Sequence, residues 1–167
     1  MPDTRLQQIL NFFERRAVLI LWILTIAMSG ALIGLGFYKY ANFQYASLDL
    51  AIYSQVIWNT SLGRLFEMSI HPQSYLGDHF ELYILPLSVL YKIWSDPRTL
   101  IIIQVIIINA AVFPFFFLAR NLFKKPAIKF PSALALLVAY TFLLNPQVIN
   151  AALFEFHIIV FFILPLA

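Results

Sequence analysis

Three long stretches without a charged residue dominate the sequence, at residues 17–38, 99–119 and 131–154. Each is about as long as the roughly 20 residues that a helix needs to cross the hydrocarbon core of a bilayer. Hydrophobic residues make up 62% of the chain and charged residues 11%, whereas soluble domains average about 45–50% and about 25%. These features exclude a small soluble domain and predict an all-α, polytopic transmembrane helix bundle.

The basic residues predict which ends of these helices face the cytoplasm. Arg5, Arg15 and Arg16 precede the first stretch, and residues 120–130 carry four basic side chains and no acid. Cytoplasmic loops are enriched in lysine and arginine. Both segments are therefore expected on the cytoplasmic side of a plasma membrane, with an even number of membrane crossings between them. The predicted order is a cytoplasmic N-terminus at 1–16, a first span at 17–38, an external segment at 39–98, a second span at 99–119, a cytoplasmic basic loop at 120–130, a third span at 131–147, an external turn at 148–157 and the start of a fourth span at 158–167.

The long external segment is predicted to hold two helices that lie along the membrane surface. Residues 48–62 place Leu48, Ile52 and Val56 at helical spacing, with polar residues between them. Residues 79–94 are short for a span and contain Glu81 and Lys92. We therefore expect two juxtamembrane surface helices in the first external loop.

Prolines and chain ends add three expectations. Pro114 is expected to kink the second span, and Asn145-Pro146 to end or bend the third. The first stretch exceeds the roughly 7–15-residue apolar region of a signal peptide and is interpreted as a retained anchor. Residues 158–167 form an apolar half-span without a polar flank. The chain is therefore expected to be truncated, with the missing C-terminal part of the same protein as a partner.

Acids and imidazoles gather in the segments predicted to be external. Six of the eight acidic residues and all three histidines lie there. Because polar groups at a membrane are costly unless they line a cavity, the sorting indicates a shared polar cavity, although harmless loop charges would give the same pattern. These residues are Asp49, Glu67, Asp78, Glu81, Asp96, Glu155, His71, His79 and His157.

Helix capping offers a simpler role for several of these acids. Ser47 would cap a helix that has Asp49 in its first turn, where an acid interacts favourably with the helix dipole. Asp78 and Glu81 have the spacing of a capping box, and Asp96 precedes Pro97 as a cap would.

Glu155 and His157 show no capping pattern, and their spacing of two puts them on one side of an extended segment. There they would converge with Asp78 and His79 on a divalent metal ion. Zn²⁺, Mn²⁺ and iron accept mixed carboxylate and imidazole ligands, whereas Mg²⁺ prefers oxygen ligands. A paired aspartate and histidine would equally serve as a general base.

Three motifs carry a resemblance to a known family: SLDLAIYSQVIWNT at 47–60, LGDHF at 76–80 and LFEFH at 153–157. Together they are similar to the uncharacterised membrane proteins grouped as domain of unknown function 2079, whose members are usually longer. The order of span, acidic external loop with surface helices, and arginine at the next span resembles the N-terminal module of GT-C-fold glycosyltransferases.

The resemblance to GT-C enzymes implies a specific chemistry. They pass a sugar from a polyprenyl-phosphate carrier to an acceptor at the outer membrane face and invert the anomeric centre. By order, Asp49 would be the catalytic base and Asp78 a second catalytic acid, often with a divalent metal such as Mg²⁺, Mn²⁺ or Zn²⁺ nearby. Arg98 and His79 would bind the departing lipid phosphate.

Two other functions fit the same residues. A transporter or an ion- or proton-coupled membrane protein would use Asp78, His79, Glu155 and His157 near the bilayer midplane. The chain could also be an inactive fragment of a longer protein. No nucleic-acid-binding motif is present in the sequence, so no nucleic acid is expected as a partner.

Overall fold

The computed structural model describes residues 4–45, 48–70 and 74–162, and all regular secondary structure within them is helical. The all-α class is therefore confirmed. The elements are α1 (Arg5–Ala41), α2 (Asp49–Ser61), α3 (Ile84–Tyr91), α4 (Arg98–Ala110), α5 (Val112–Phe123), α6 (Pro131–Leu143) and α7 (Pro146–Leu153), with 3₁₀ turns at Tyr75–Gly77 and Ile158–Phe162. Ser47, His71 and half of the predicted fourth span, residues 163–167, lie outside the described residues.

Two helical stretches among the described residues are long and apolar enough to cross a membrane. They are α1, with 37 residues, and the continuous stretch Arg98–Phe123 of α4 and α5, with 26. The pair α6 and α7 makes a third candidate if it is counted as one span, although it bends by 50°. α3 has only eight residues, too few for a helix to cross the hydrocarbon core.

Both predicted proline sites coincide with a break in the helix. α4 ends at Ala110, whose carbonyl loses its usual partner because Pro114 has no N–H to donate. α6 ends at Leu143, and the Asn145 side chain accepts a hydrogen bond of 2.8 Å from the Gln147 N–H to start α7. The predicted end or bend at Asn145-Pro146 is confirmed.

α1 begins at Arg5, well before the predicted first span, and its extra turns have a structural use. Glu14 Oε2 accepts hydrogen bonds from the backbone N–H groups of Ser132 and Ala133, at 2.8 and 2.9 Å. These donors lie in the first turn of α6, which has no side-chain cap of its own. An acid on one helix therefore caps another.

Three apolar clusters stack along α1. The first half of α1 packs on α5 and α6 through Leu21, Phe116 and Ala139. Farther along, Leu32 packs against α4 and α7. The third cluster packs against the last turns of α1 and joins α2, α3 and the start of α4 to Phe156.

Gly36 of α1 lies directly against Ile101 of α4. A β-carbon there would lie 2.6 Å from Ile101 Cγ2, so only glycine fits without a shift. Polar side chains add bonds between the helices: Asn109 Nδ2 donates to Ser29 Oγ at 2.9 Å, and Gln104 donates to the end of α7. Both amides therefore form hydrogen bonds between helices.

Candidate functional site

The candidate site lies at the end of the helices where α1 stops and α4 starts. Lys39 Nζ donates to the Leu153 carbonyl at 2.7 Å, which joins the ends of α1 and α7. The Arg98 guanidinium lies over the Phe37 ring, 5.7 Å from its centroid, which adds the start of α4. α2 and α3 pack beside this end, where Tyr91 is buried against Ser54.

Asp49 and His157 form a direct pair at this end. His157 Nε2 lies 3.0 Å from Asp49 Oδ2, and the two side chains are 36% and 41% exposed. Asp49 is the first residue of α2, and His157 follows the extended residue Phe154 at the end of α7. The pair is accessible from solvent, because neither side chain is buried.

The His157 ring has a partner at each ring nitrogen and a stacked ring on one face. Its Nδ1 lies 2.9 Å from the Glu155 carbonyl, and the Phe154 ring stacks on it at 5.5 Å with an interplanar angle of 23°. Both ring nitrogens therefore face acceptors, the Glu155 carbonyl and the Asp49 carboxylate. A neutral imidazole has only one N–H, so only the imidazolium can donate to both.

Gln104 fixes the backbone of the segment that carries His157. Its Nε2 donates to the carbonyls of Ala151 and Phe154, at 3.1 and 2.9 Å, and its Oε1 accepts the His157 N–H at 3.1 Å. The side chain is only 2% exposed. The sequence offered one signal for this role, an amide inside an otherwise apolar helix.

Asp78 and His79 form a second, looser pair. Their side chains lie 3.8 Å apart, with exposed fractions of 44% for Asp78 and 58% for His79. The His79 backbone N–H donates to the Tyr75 carbonyl at 2.9 Å, and the rings of these two residues lie 5.7 Å apart. The 3₁₀ turn Tyr75–Gly77 therefore positions the pair.

One small cavity of about 190 Å³ collects both pairs. Four of the six predicted site residues line it, and they come from α2, the turn before α3 and the segment after α7. Its lining residues are Asp49, Ile52, Tyr53, Tyr75, Asp78, His79 and His157. We call it the four-residue cavity, after Asp49, Asp78, His79 and His157.

Glu81 supports the wall of this cavity and does not cap a helix. Its carboxylate accepts hydrogen bonds from the hydroxyls of Tyr53 and Tyr75, at 3.2 and 2.7 Å. α3 begins at Ile84 and has no side-chain cap, so the predicted capping box of Asp78 and Glu81 is wrong. Sequence reasoning missed the two tyrosines, because nothing in their spacing indicates a shared partner.

Burial shifts the acidity of both tyrosines. It raises the pKa of the Tyr53 hydroxyl to about 12, and it also raises the pKa of Tyr75. The Glu81 carboxylate adds to both shifts, because a phenolate beside it would be repelled. Both hydroxyls are therefore held as neutral donors to Glu81.

Glu155 lies outside the four-residue cavity. Its side chain is 4% exposed, and its Oε2 lies 3.5 Å from the Leu50 N–H in the first turn of α2. It lines a neighbouring cavity of about 370 Å³ together with Gln147, Asn150 and His157. Glu155 and His157 thus meet the start of α2 from one extended segment, but His157 alone reaches the four-residue cavity.

Arg98 also lies outside this cavity, in a clamp with Asp96. Its Nε and Nη2 donate to the Asp96 carboxylate at 2.9 and 2.7 Å, and its backbone N–H donates to the same group at 2.8 Å. These hydrogen bonds hold the pKa of the Asp96 carboxyl below its usual value. Asp96 therefore provides the capping interaction predicted for it, and it also neutralises Arg98.

Three of the four predicted metal ligands, Asp78, His79 and His157, line the four-residue cavity, whereas Glu155 does not. Within residues 4–45, 48–70 and 74–162, no group of three or more histidine, aspartate or glutamate residues is close enough to hold a metal ion. A Zn²⁺ site normally has at least three protein ligands. The described residues therefore offer no more than two such ligands together, and a metal ion at this site stays a prediction.

A family comparison matches residues 39–167, more than half of the chain, to the family described as "Predicted membrane protein (DUF2079)". The matched region contains α2 to α7 and all four residues of the cavity. No curated protein and no solved structure matches the chain.

Proposed function

We propose a function from the premise that the chain belongs to the DUF2079 family of predicted membrane proteins. The function is a glycosyltransferase of the GT-C type, which transfers a sugar from a polyprenyl-phosphate carrier to an acceptor hydroxyl at the outer membrane face. The observation that carries the proposal is the convergence of Asp49, Asp78, His79 and His157 on one cavity. The resemblance of the sequence to the N-terminal module of GT-C enzymes supports it.

Asp49 is the general base of the proposed reaction. Its carboxylate takes the proton of the acceptor hydroxyl as the acceptor oxygen forms a bond to the anomeric carbon. The bond from that carbon to the carrier phosphate breaks, and its electron pair leaves with the phosphate. Such a base contributes typically about 10²–10⁴-fold to the rate.

His157 and His79 stabilise the leaving phosphate. Both histidines line the cavity, and a protonated imidazole beside a departing phosphate would stabilise the developing charge. Arg98 was expected in this role, but it does not line the cavity. The proposal therefore assigns the phosphate to the two histidines, with Asp78 orienting His79.

The position of the cavity supports a transferase over a transporter. The His157 backbone N–H donates a hydrogen bond to the Gln104 side chain. Gln104 lies about 9 Å along α4 from Arg98, at about 1.5 Å per residue. A bilayer midplane would lie about 15 Å from the end of a span. The cavity thus sits toward the end of the candidate spans, whereas transporter sites lie near the midplane.

Release of polyprenyl phosphate tests the proposal. Membranes that contain the chain are incubated with polyprenyl phosphate carrying a radiolabelled hexose, and free carrier is measured. We expect release by the wild type and a loss of about 10²–10⁴-fold in Asp49→Asn. Glu67→Gln is the matched control, because that carboxylate is 59% exposed and lies outside the cavity.

Two results would contradict the proposal. Equal release by the wild type and by Asp49→Asn would show that Asp49 is not the general base. No release by the wild type, together with proton uptake in proteoliposomes that requires His157, would favour the transporter.

A further inference from the structure

A second concave surface lies at the opposite end of α1, between α1 and α6. It has a volume of about 730 Å³. Its walls are apolar and aromatic, with Phe13, Ile20 and Leu24 from α1 facing Leu134, Leu137 and Tyr140 from α6. We call it the α1–α6 groove.

The α1–α6 groove has the length of a lipid chain. It follows α1 from Ile9 to Leu24, which is about 22 Å at about 1.5 Å per residue. One leaflet of hydrocarbon is about 15 Å thick, half of the bilayer core. An acyl chain of a single leaflet therefore fits along it.

The groove has a cationic end. Lys129 belongs to its lining, and Arg5 lines an adjoining hollow that shares Ile9 and Phe13 with the groove. Lys129 stands in the basic segment 120–130, which contains no acid. The nearby Glu14 carboxylate is directed at the first turn of α6.

We propose that the α1–α6 groove binds a phospholipid with an anionic headgroup. The phosphate lies between Lys129 and Arg5, and the acyl chain lies along the apolar walls. Basic residues at the cytoplasmic end of membrane helices attract anionic lipids, and long basic side chains reach the headgroup level from an apolar wall. The groove is at the other end of α1 from the four-residue cavity. Lipid binding there therefore does not depend on the proposed transferase activity.

Polyprenyl phosphate shares this chemistry, a phosphate on a long apolar chain. The diacyl phospholipid is favoured because the groove lies at the end of α1 opposite the cavity assigned to the carrier. A competition arm in the experiment separates the two sources.

Native mass spectrometry of the chain released from mixed micelles tests the site. The probes are phosphatidylglycerol, which is anionic, and phosphatidylcholine, which is not. We expect wild-type protein to retain phosphatidylglycerol preferentially, and Lys129→Gln to lose about fivefold in that preference, the factor for about 1 kcal/mol per basic residue near the surface. Lys92→Gln, an exposed lysine at the other end of the molecule, is the matched charge control.

A second variant tests the groove itself. Leu137→Trp places a larger side chain in the groove and is expected to reduce retention of phosphatidylglycerol. Leu122 is 61% exposed and lies outside the groove, so Leu122→Trp is expected to leave this retention unchanged. Equal retention of both lipids by the wild type, or no change in Lys129→Gln, overturns the proposal. Displacement of phosphatidylglycerol by an equal amount of polyprenyl phosphate overturns the assignment to a phospholipid.

Discussion

His157 Nε2 lies 3.0 Å from Asp49 Oδ2, and this contact joins the segment after α7 to the first residue of α2. It brings two residues that are distant in the sequence together in the lining of one cavity. The carboxylate keeps the imidazole in place, while the Glu155 carbonyl holds the other ring nitrogen.

A double-mutant cycle tests whether this pair is energetically coupled. Asp49→Asn and His157→Gln are each expected to destabilise the fold, and the double variant less than the sum of the two. Because both side chains are more than a third exposed, the expected coupling is about 0.2–1 kcal/mol. Denaturant unfolding in detergent micelles measures it, and strictly additive effects would mean that the two groups do not interact.

Tyr53 should make stability fall at high pH. Burial raises the pKa of its hydroxyl from 10.0 to about 12, so the folded state favours the neutral form. That contribution is fully present below pH 10 and is lost as the pH rises through about 12. Thermal unfolding across this range should show a weaker pH dependence in Tyr53→Phe than in the wild type, and identical profiles would contradict the role of burial.

Gly36 should tolerate no side chain. In Gly36→Ala the new methyl would overlap Ile101, and such overpacking costs about 1–3 kcal/mol. Gly34→Ala is the matched control, because no atom lies within 4 Å of a β-carbon there. We expect a lower thermal midpoint for Gly36→Ala only, and equal midpoints would show that α1 and α4 are farther apart.

Glu14 should stabilise α6 from a distance in the sequence. Glu14→Ala removes the acceptor from two backbone donors, and loss of a helix cap costs about 0.5–2 kcal/mol. Glu14→Gln keeps an acceptor oxygen and should recover part of this loss. Hydrogen exchange at Ser132 and Ala133 measures the effect, and unchanged protection in Glu14→Ala would contradict the capping role.

Sequence patterns predicted those features that depend on local chemistry. The apolar stretches indicated the helices, Asn145-Pro146 marked a break, and Asp96 before Pro97 capped α4 as expected. Helix α2 at 49–61 lies close to the predicted surface helix at 48–62.

Contacts between distant segments were not predictable in this way. Glu81 had capping-box spacing, but the folded chain brings two tyrosine hydroxyls to its carboxylate. Arg98 was expected to bind a phosphate at the start of a span, but its guanidinium forms an ion pair with Asp96, two residues earlier. Glu155 showed no capping pattern in the sequence, and in the structure its carboxylate lies at the first turn of α2. Periodicity reports which face of an element is apolar, and it carries no information about which elements meet.

Cysteine accessibility at positions 78 and 125 tests most directly whether the four-residue cavity opens at the outer face, opposite the basic segment 120–130. The chain contains no native cysteine, so Asp78→Cys and Lys125→Cys each provide a single label site. A membrane-impermeant maleimide added to intact cells should label position 78, and position 125 only after the cells are permeabilised. Labelling of both positions from the same side, or of position 125 alone, would contradict a lipid-linked sugar transferase at the outer face.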